Sequence, residues 1–152
     1  MKYYLDTEFN EFGGELISLA LVREDGHSLY LVYPEPKDGY GEWVKENVVP
    51  ILSDLPSRID RHYLTELQPQ IAGARSIAKF FGDDPHPHII TDWPDDVRYF
   101  CQAIITGPGM MAAIDRLTFD IVRVDAYPTK LEGAVQHNAW WDAMALRELL
   151  QN

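Results

Sequence analysis

Two apolar, β-leaning runs, Glu15 to Arg23 (ELISLALVR) and Leu29 to Tyr33, flank Glu24-Asp25-Gly26-His27. Asp-Gly between such runs is a hairpin signal, because a tight turn between twisted strands needs residues that accept positive φ. Tyr3 to Phe9 is a third strand candidate just upstream. The chain is therefore expected to open with an antiparallel meander, whose apolar faces the rest must cover.

The remainder supplies that cover. After a Pro/Gly-rich loop, Pro34 to Gly41, a short helix is expected from Glu42 to about Leu52, and Ser53 to Glu66 reads as irregular. From Gln68 to Phe81, Ile71, Ala74, Ala78 and Phe81 recur on one helical face, and Gly82 stops the run. His88 to Thr91 is a short buried strand, and Pro94 suits the first turn of a helix that reaches Gly107-Pro108-Gly109. Leu117 to Val124 alternates like a strand, and a last helix runs from about Ala139 to Leu150. This order predicts an α/β, three-layer fold with a mixed sheet opened by an antiparallel meander, the order of the ribonuclease H-like fold.

At 152 residues the expectation is one domain, residues 1–152, with a core large enough to need no staples. The single cysteine, Cys101, permits no internal disulfide. No signal-peptide h-region opens the chain and no apolar run approaches the ~20 residues of a membrane helix, so a cytoplasmic setting is expected. The net charge of −11, from 24 acids and 13 bases, argues against the basic stripe of a tight duplex-DNA binder. A short grip on a strand end remains compatible, since an enzyme that binds cations through carboxylates is acidic by necessity.

Three acidic segments carry the chemistry. In Asp6-Thr7-Glu8, residues i and i+2 of a strand project to the same face. Two such carboxylates repel unless a cation joins them, and hard divalent cations take oxygen ligands. An exposed strand end would carry the same tripeptide, but Tyr3, Tyr4, Leu5 and Phe9 embed it in apolar sequence. Asp92-Trp93-Pro94-Asp95-Asp96 follows a strand and opens a helix, where acids also serve as caps and dipole partners. In His137-Asn138-Ala139-Trp140-Trp141-Asp142-Ala143, Asn138 can cap the last helix. Asp142 then falls roughly 70° from the centre of the Ala139/Ala143/Leu146/Leu150 stripe, at the border of the buried face.

Taken together, the segments resemble the three motifs of DEDDh-type 3′→5′ exonucleases. Asp6-Thr7-Glu8-Phe9 resembles the first, and His137 followed five residues later by Asp142 resembles the third. The short length and the Asp-Thr-Glu-Phe form look most like the small ribonuclease AS group of exoribonucleases, which act on adenylate-rich RNA. The second motif departs from the family's Asn-x-x-x-Asp: Asp92 stands at the Asn position, which places Asp96 as ligand, with Asp92 and Asp95 as alternatives.

The resemblance implies two divalent ions, Mg²⁺ or Mn²⁺, held by Asp6, Glu8, Asp96 and Asp142, with His137 as general base. It implies single-stranded nucleic acid as partner, RNA before DNA, and a homodimer. Thr7, Phe9, Asp92 and Trp93 are the expected substrate contacts. Trp140 and Trp141 are further stacking candidates or core residues, and Arg58, Arg61 and His62 form a small basic cluster suited to phosphates or to a solvated loop. Three rivals stand beside this reading: a DNA exonuclease with the same site, a silent nucleic-acid-binding module on the same fold, and a metal-binding domain with another hydrolytic role.

Overall fold

The computed structural model describes residues 1–65, 67–125 and 131–151. The meander is present as β1 (Lys2–Phe9), β2 (Leu16–Arg23) and β3 (Ser28–Val32). There follow α1 (Glu42–Asn47), β4 (His62–Tyr63), α2 (Pro69–Phe81), β5 (His88–Thr91), α3 (Pro94–Ala103), β6 (Ile105–Gly107), β7 (Met110–Met111), β8 (Thr118–Ile121) and α4 (Ala139–Gln151). Six strands form one sheet in the order β4-β3-β2-β1-β5-β8, and β6 and β7 pair separately. β1–β2 and β2–β3 are antiparallel, whereas β1–β5, β5–β8 and β3–β4 are parallel. This mixed α/β architecture is consistent with the ribonuclease H-like fold that the element order predicts.

The period of two along β1 builds a core on each side of the sheet. Tyr3 and Leu5 join Ile77 and Phe81 of α2 and Phe100 of α3 on one face. Tyr4 joins Val44 of α1 and Trp140 and Leu146 of α4 on the other. Ala139 and Ala143 are fully buried, and these small side chains let α4 lie close across β1 and β2. Trp140 is core: its ring is buried and its Nε1 donates to Ser28 Oγ at 2.9 Å. That placement removes it as a stacking platform.

Four element boundaries differ from the expectation. α1 ends at Asn47, and Val49–Ile51 form a 3₁₀ turn around Pro50, whose ring has no N–H to continue an α-helix. α3 ends at Ala103, because Ile105–Gly107 turns back through Pro108-Gly109 to pair with Met110–Met111. β8 covers only Thr118–Ile121 of the expected 117–124 run. In the stretch read as irregular, His62 and Tyr63 add to β3 as an edge strand, while Glu66 lies outside the described residues. Among the described residues no helix is long and apolar enough to cross a membrane.

Candidate active site

β1 and β5 are adjacent and parallel, so their C-terminal ends finish side by side. Open α/β sheets place their ligand crevices beyond such strand ends. Asp6 and Glu8 lie toward that end of β1, opposite Ala20 and Ser18 of β2. Thr91 closes β5, and Asp92 and the first turn of α3 follow it. α4 brings Asp142 in from the face it covers, since Asp142 belongs to its first turn.

The three sequence segments therefore meet. Carboxylate oxygens of Asp6, Glu8 and Asp142 lie within 4.8 Å of one another, and so do those of Asp6, Asp92 and Asp96. Asp6 belongs to both groups. Asp95 belongs to neither; it accepts from Trp93 Nε1 at 3.3 Å and sits 3.8 Å from the Arg98 guanidinium. All these acids line one cavity of about 690 Å³, together with Thr7, Phe9, Trp93 and His137. Arg58, Arg61 and His62 do not line it. Arg61 instead donates to the Leu55 carbonyl at 2.9 Å, and His62 belongs to the edge strand three places from β1.

Burial and mutual repulsion dominate the electrostatics. Asp6 is held well above the ordinary carboxylate range, first by burial and then by Asp96, Asp142, Glu8 and Asp92. Burial followed by the charges of Asp142 and Asp96 raises Glu8 to about 8. Asp142 rises to about 7 through burial, although the His137 amide opposes this. Asp96 rises only to about 6, because hydrogen bonds from Thr7 and Thr91 offset part of the burial. Oδ2 of Asp6 is buried with no hydrogen-bond partner. A buried carboxylate oxygen without a donor is costly, and it fits a cation as its missing partner. The all-oxygen donor set is that of a hard divalent ion such as Mg²⁺, Mn²⁺ or Ca²⁺.

Hydrogen bonds fix the acids in place. Asp96 is 2% exposed. Its Oδ1 accepts from the Thr7 amide at 3.0 Å and from Thr7 Oγ1 at 2.6 Å, and its Oδ2 accepts from Thr91 Oγ1 at 2.6 Å. Thr7 thus bonds directly to a motif acid, and Thr91 is a positioning residue that sequence reasoning missed. Its only signal was adjacency to Asp92. We expect Thr91→Val, which keeps shape and removes the donor, to cost about 1–3 kcal/mol, the usual penalty of an abandoned buried acceptor. Thr91→Ser should recover most of it in a urea titration; equal loss in both variants would mean that packing, not the hydrogen bond, is what Thr91 supplies.

His137 adopts a left-handed backbone, φ 64°, directly before α4. Its amide donates to Asp142 Oδ2 at 3.1 Å, and its ring meets Trp43 edge-on at 5.1 Å. Asn138 makes the cap expected of it, accepting from the Trp140 and Trp141 amides at 3.1 and 3.3 Å. Trp141 is mostly buried, donates to the Asp54 carbonyl and borders the cavity. Phe9 stacks on Tyr99, ring centroids 4.5 Å apart. Sequence reasoning also missed Phe12 and Trp43, which line the same cavity. Their signal was misplacement: Trp43 falls off the Val44/Val48 core stripe, and Phe12 sits beside Gly13-Gly14 with no apolar run around it.

No protein-family model matches the chain. It is similar to a protein named 3′-5′ exoribonuclease from Mycobacterium tuberculosis strain H37Rv, 42% identical over 64 residues. The same figures hold for the exoribonuclease of that name from strain CDC 1551. The match spans 40% of this chain and 38% of the length of those relatives, which supports an exonuclease relationship for the matched segment.

Proposed function

We propose that this protein is a divalent-metal-dependent 3′→5′ exonuclease of the DEDDh type. It hydrolyses the terminal phosphodiester of an unpaired strand, RNA in preference to DNA, and releases nucleoside 5′-monophosphates. The observation that carries this reading is the convergence of two carboxylate groups sharing Asp6 in one cavity that His137 also lines. The named exoribonuclease relatives favour RNA. In this reading residues 1–152 act as one exonuclease domain, working as a homodimer in the cytoplasm.

Asp6, Glu8 and Asp142 would hold one cation, Mg²⁺ or Mn²⁺, and Asp6 with Asp92 and Asp96 a second. When bound, such a pair stabilises both the attacking and the leaving oxygen of an in-line displacement. Asp96 would reach the second ion through water, while Thr7 and Thr91 each donate to one of its oxygens and hold it in place. His137 removes the proton from the attacking water, a task suited to an imidazole near neutral pH. The Trp43 edge and the amide bond to Asp142 limit where that ring can lie. Thr7, Phe9, Asp92 and Trp93 face the strand end.

The test is a 5′-labelled oligoadenylate and its DNA counterpart, incubated with Mg²⁺ or Mn²⁺ and, separately, with EDTA. A cation-dependent ladder that shortens from the 3′ end supports the reading, and the relative rates rank RNA against DNA. No shortening of either strand with any divalent ion would move the silent binding module into first place. His137→Ala should slow single-turnover hydrolysis by about 10²–10⁴-fold, the usual weight of general acid–base catalysis. A variant that lost only affinity would remove His137 as the base.

A further inference from the structure

Ser18, in the middle of β2, is fully buried, and its Oγ has no hydrogen-bond partner. The next two positions on the same face of the strand, Ala20 and Val22, are fully buried and apolar. A hydroxyl that loses its water on folding and gains no acceptor costs stability. Alanine at position 18 would avoid that cost, so the fold alone does not account for this serine.

The sheet register puts a second group beside it. β1 and β2 are antiparallel, with Glu8 directly opposite Ser18 and Asp6 opposite Ala20. Opposed residues project to the same face with their Cβ atoms about 4.5–5.5 Å apart, which brings a serine hydroxyl within reach of a glutamate carboxylate. Two other acids of the site have donors that fix them: Thr7 and Thr91 on Asp96, and the His137 amide on Asp142. Glu8 has one more rotatable bond than those aspartates and more freedom to lose when it is held. Tyr30 of β3 also lies near Ser18, and its hydroxyl already donates to the Leu52 carbonyl at 2.9 Å. Ser18 thus has one proton and two neighbouring acceptors, and an ionised carboxylate is the stronger of the two.

We propose that Ser18 is a positioning residue for Glu8: its Oγ donates to the Glu8 carboxylate when that carboxylate, with Asp6 and Asp142, holds a divalent cation. The inference rests on Glu8 being a cation ligand in the proposed exonuclease. Hydrogen bonds of this outer kind orient a ligand on its metal, and their removal typically lowers metal affinity by about 10–100-fold.

Calorimetric titration of Mn²⁺ into the full chain at pH 7, together with melting curves in EDTA, tests this. Ser18→Ala is expected to weaken the binding of one Mn²⁺ per chain by about 10–100-fold. In EDTA the same variant should melt no lower than the parent, because it deletes an unsatisfied hydroxyl. A serine that served only the fold, through Tyr30 or a backbone carbonyl, would show the opposite pattern. Its loss would lower the melting temperature by roughly 2–4 °C and leave Mn²⁺ affinity unchanged. In a Glu8→Gln background, Ser18→Ala should alter Mn²⁺ affinity by less than about twofold, since a residue that works only through Glu8 adds nothing once Glu8 is altered. Undiminished affinity in Ser18→Ala, a lower melting temperature in EDTA or a full further loss in the Glu8→Gln background overturns the proposal.

Hydrolysis of the labelled oligoadenylate, measured beside the titrations, separates this inference from the exonuclease reading. Mn²⁺ binding that Ser18→Ala weakens, without hydrolysis by the parent chain, upholds the positioning role and removes the exonuclease. Hydrolysis, with Mn²⁺ binding that Ser18→Ala leaves untouched, does the reverse. A parent chain that binds no Mn²⁺ removes both.

Discussion

Asp6→Asn is expected to abolish hydrolysis while making the cation-free protein more heat-stable. Asp6 is the one carboxylate common to both oxygen groups, and its Oδ2 is buried with no donor. Replacing the acid by its neutral isostere removes the ligand shared by both proposed cations. The expected loss is at least about 10³-fold in single-turnover rate, the scale on which preorganised charge stabilisation acts. The same change removes a buried acid whose ionisation its burial and the charges of Asp96, Asp142, Glu8 and Asp92 all oppose. At pH 8 without cations the melting temperature should therefore rise by roughly 2–4 °C, equivalent to about 1 kcal/mol in a chain of this size. An ordinary buried Asp, hydrogen-bonded and paired, would do the opposite. Turnover equal to the parent protein would remove Asp6 from the site. A fall in melting temperature would mean that the apparent orphan oxygen has a partner in solution.

The second large effect is a reversal of the pH dependence of stability by divalent ions. Glu8, Asp142 and Asp96 bind their protons more tightly in the folded chain, at about 8, 7 and 6, than an unfolded chain's carboxylates do near 4. The folded state then holds more protons, so stability falls as pH rises from about 4 through 8. Asp25 and Asp84 shift the other way, Asp25 through its hydrogen bond from Arg23 and Asp84 through the terminal amino group. Their contribution is lost only on acidification below the ordinary carboxylate range, outside this window. Cation-free protein should thus melt at a lower temperature at pH 8 than at pH 5. Mg²⁺ or Mn²⁺ at about 100 times its dissociation constant should add about 2.7 kcal/mol at pH 8, or roughly 5–10 °C, and far less at pH 5, where protons compete for the same oxygens. Melting curves at the two pH values, with EDTA and with each ion, measure it. A melting temperature indifferent to both pH and cation would show that these acids neither share protons nor bind metal.

Local chemistry fixed the strands and the polarity of their ends before any tertiary contact was known. Asp-Gly between two apolar runs determined the meander, and the alternation in β1 put Asp6 and Glu8 on one face. The caps were equally local: Asn138 starts α4 and Pro94 starts α3, because each meets the first turn's backbone demands by itself. Elements with no local signal were the ones missed. The pair His62–Tyr63 becomes a strand only because β3 offers an unpaired edge, and β6–β7 exists only because the chain turns back after α3. The spacing of the acids along the chain, from residue 6 to residue 142, says nothing of distance. Parallel pairing of β1 with β5, and the close approach that Ala139 and Ala143 allow α4, gather those acids into two groups that share Asp6, each with its oxygens within 4.8 Å. Thr91, Phe12 and Trp43 acquire their places in the site the same way. A hydroxyl or a ring carries no functional mark in sequence; its meaning comes from what the folded chain sets opposite it, here a buried carboxylate for Thr91 and an open acidic cavity for the two rings.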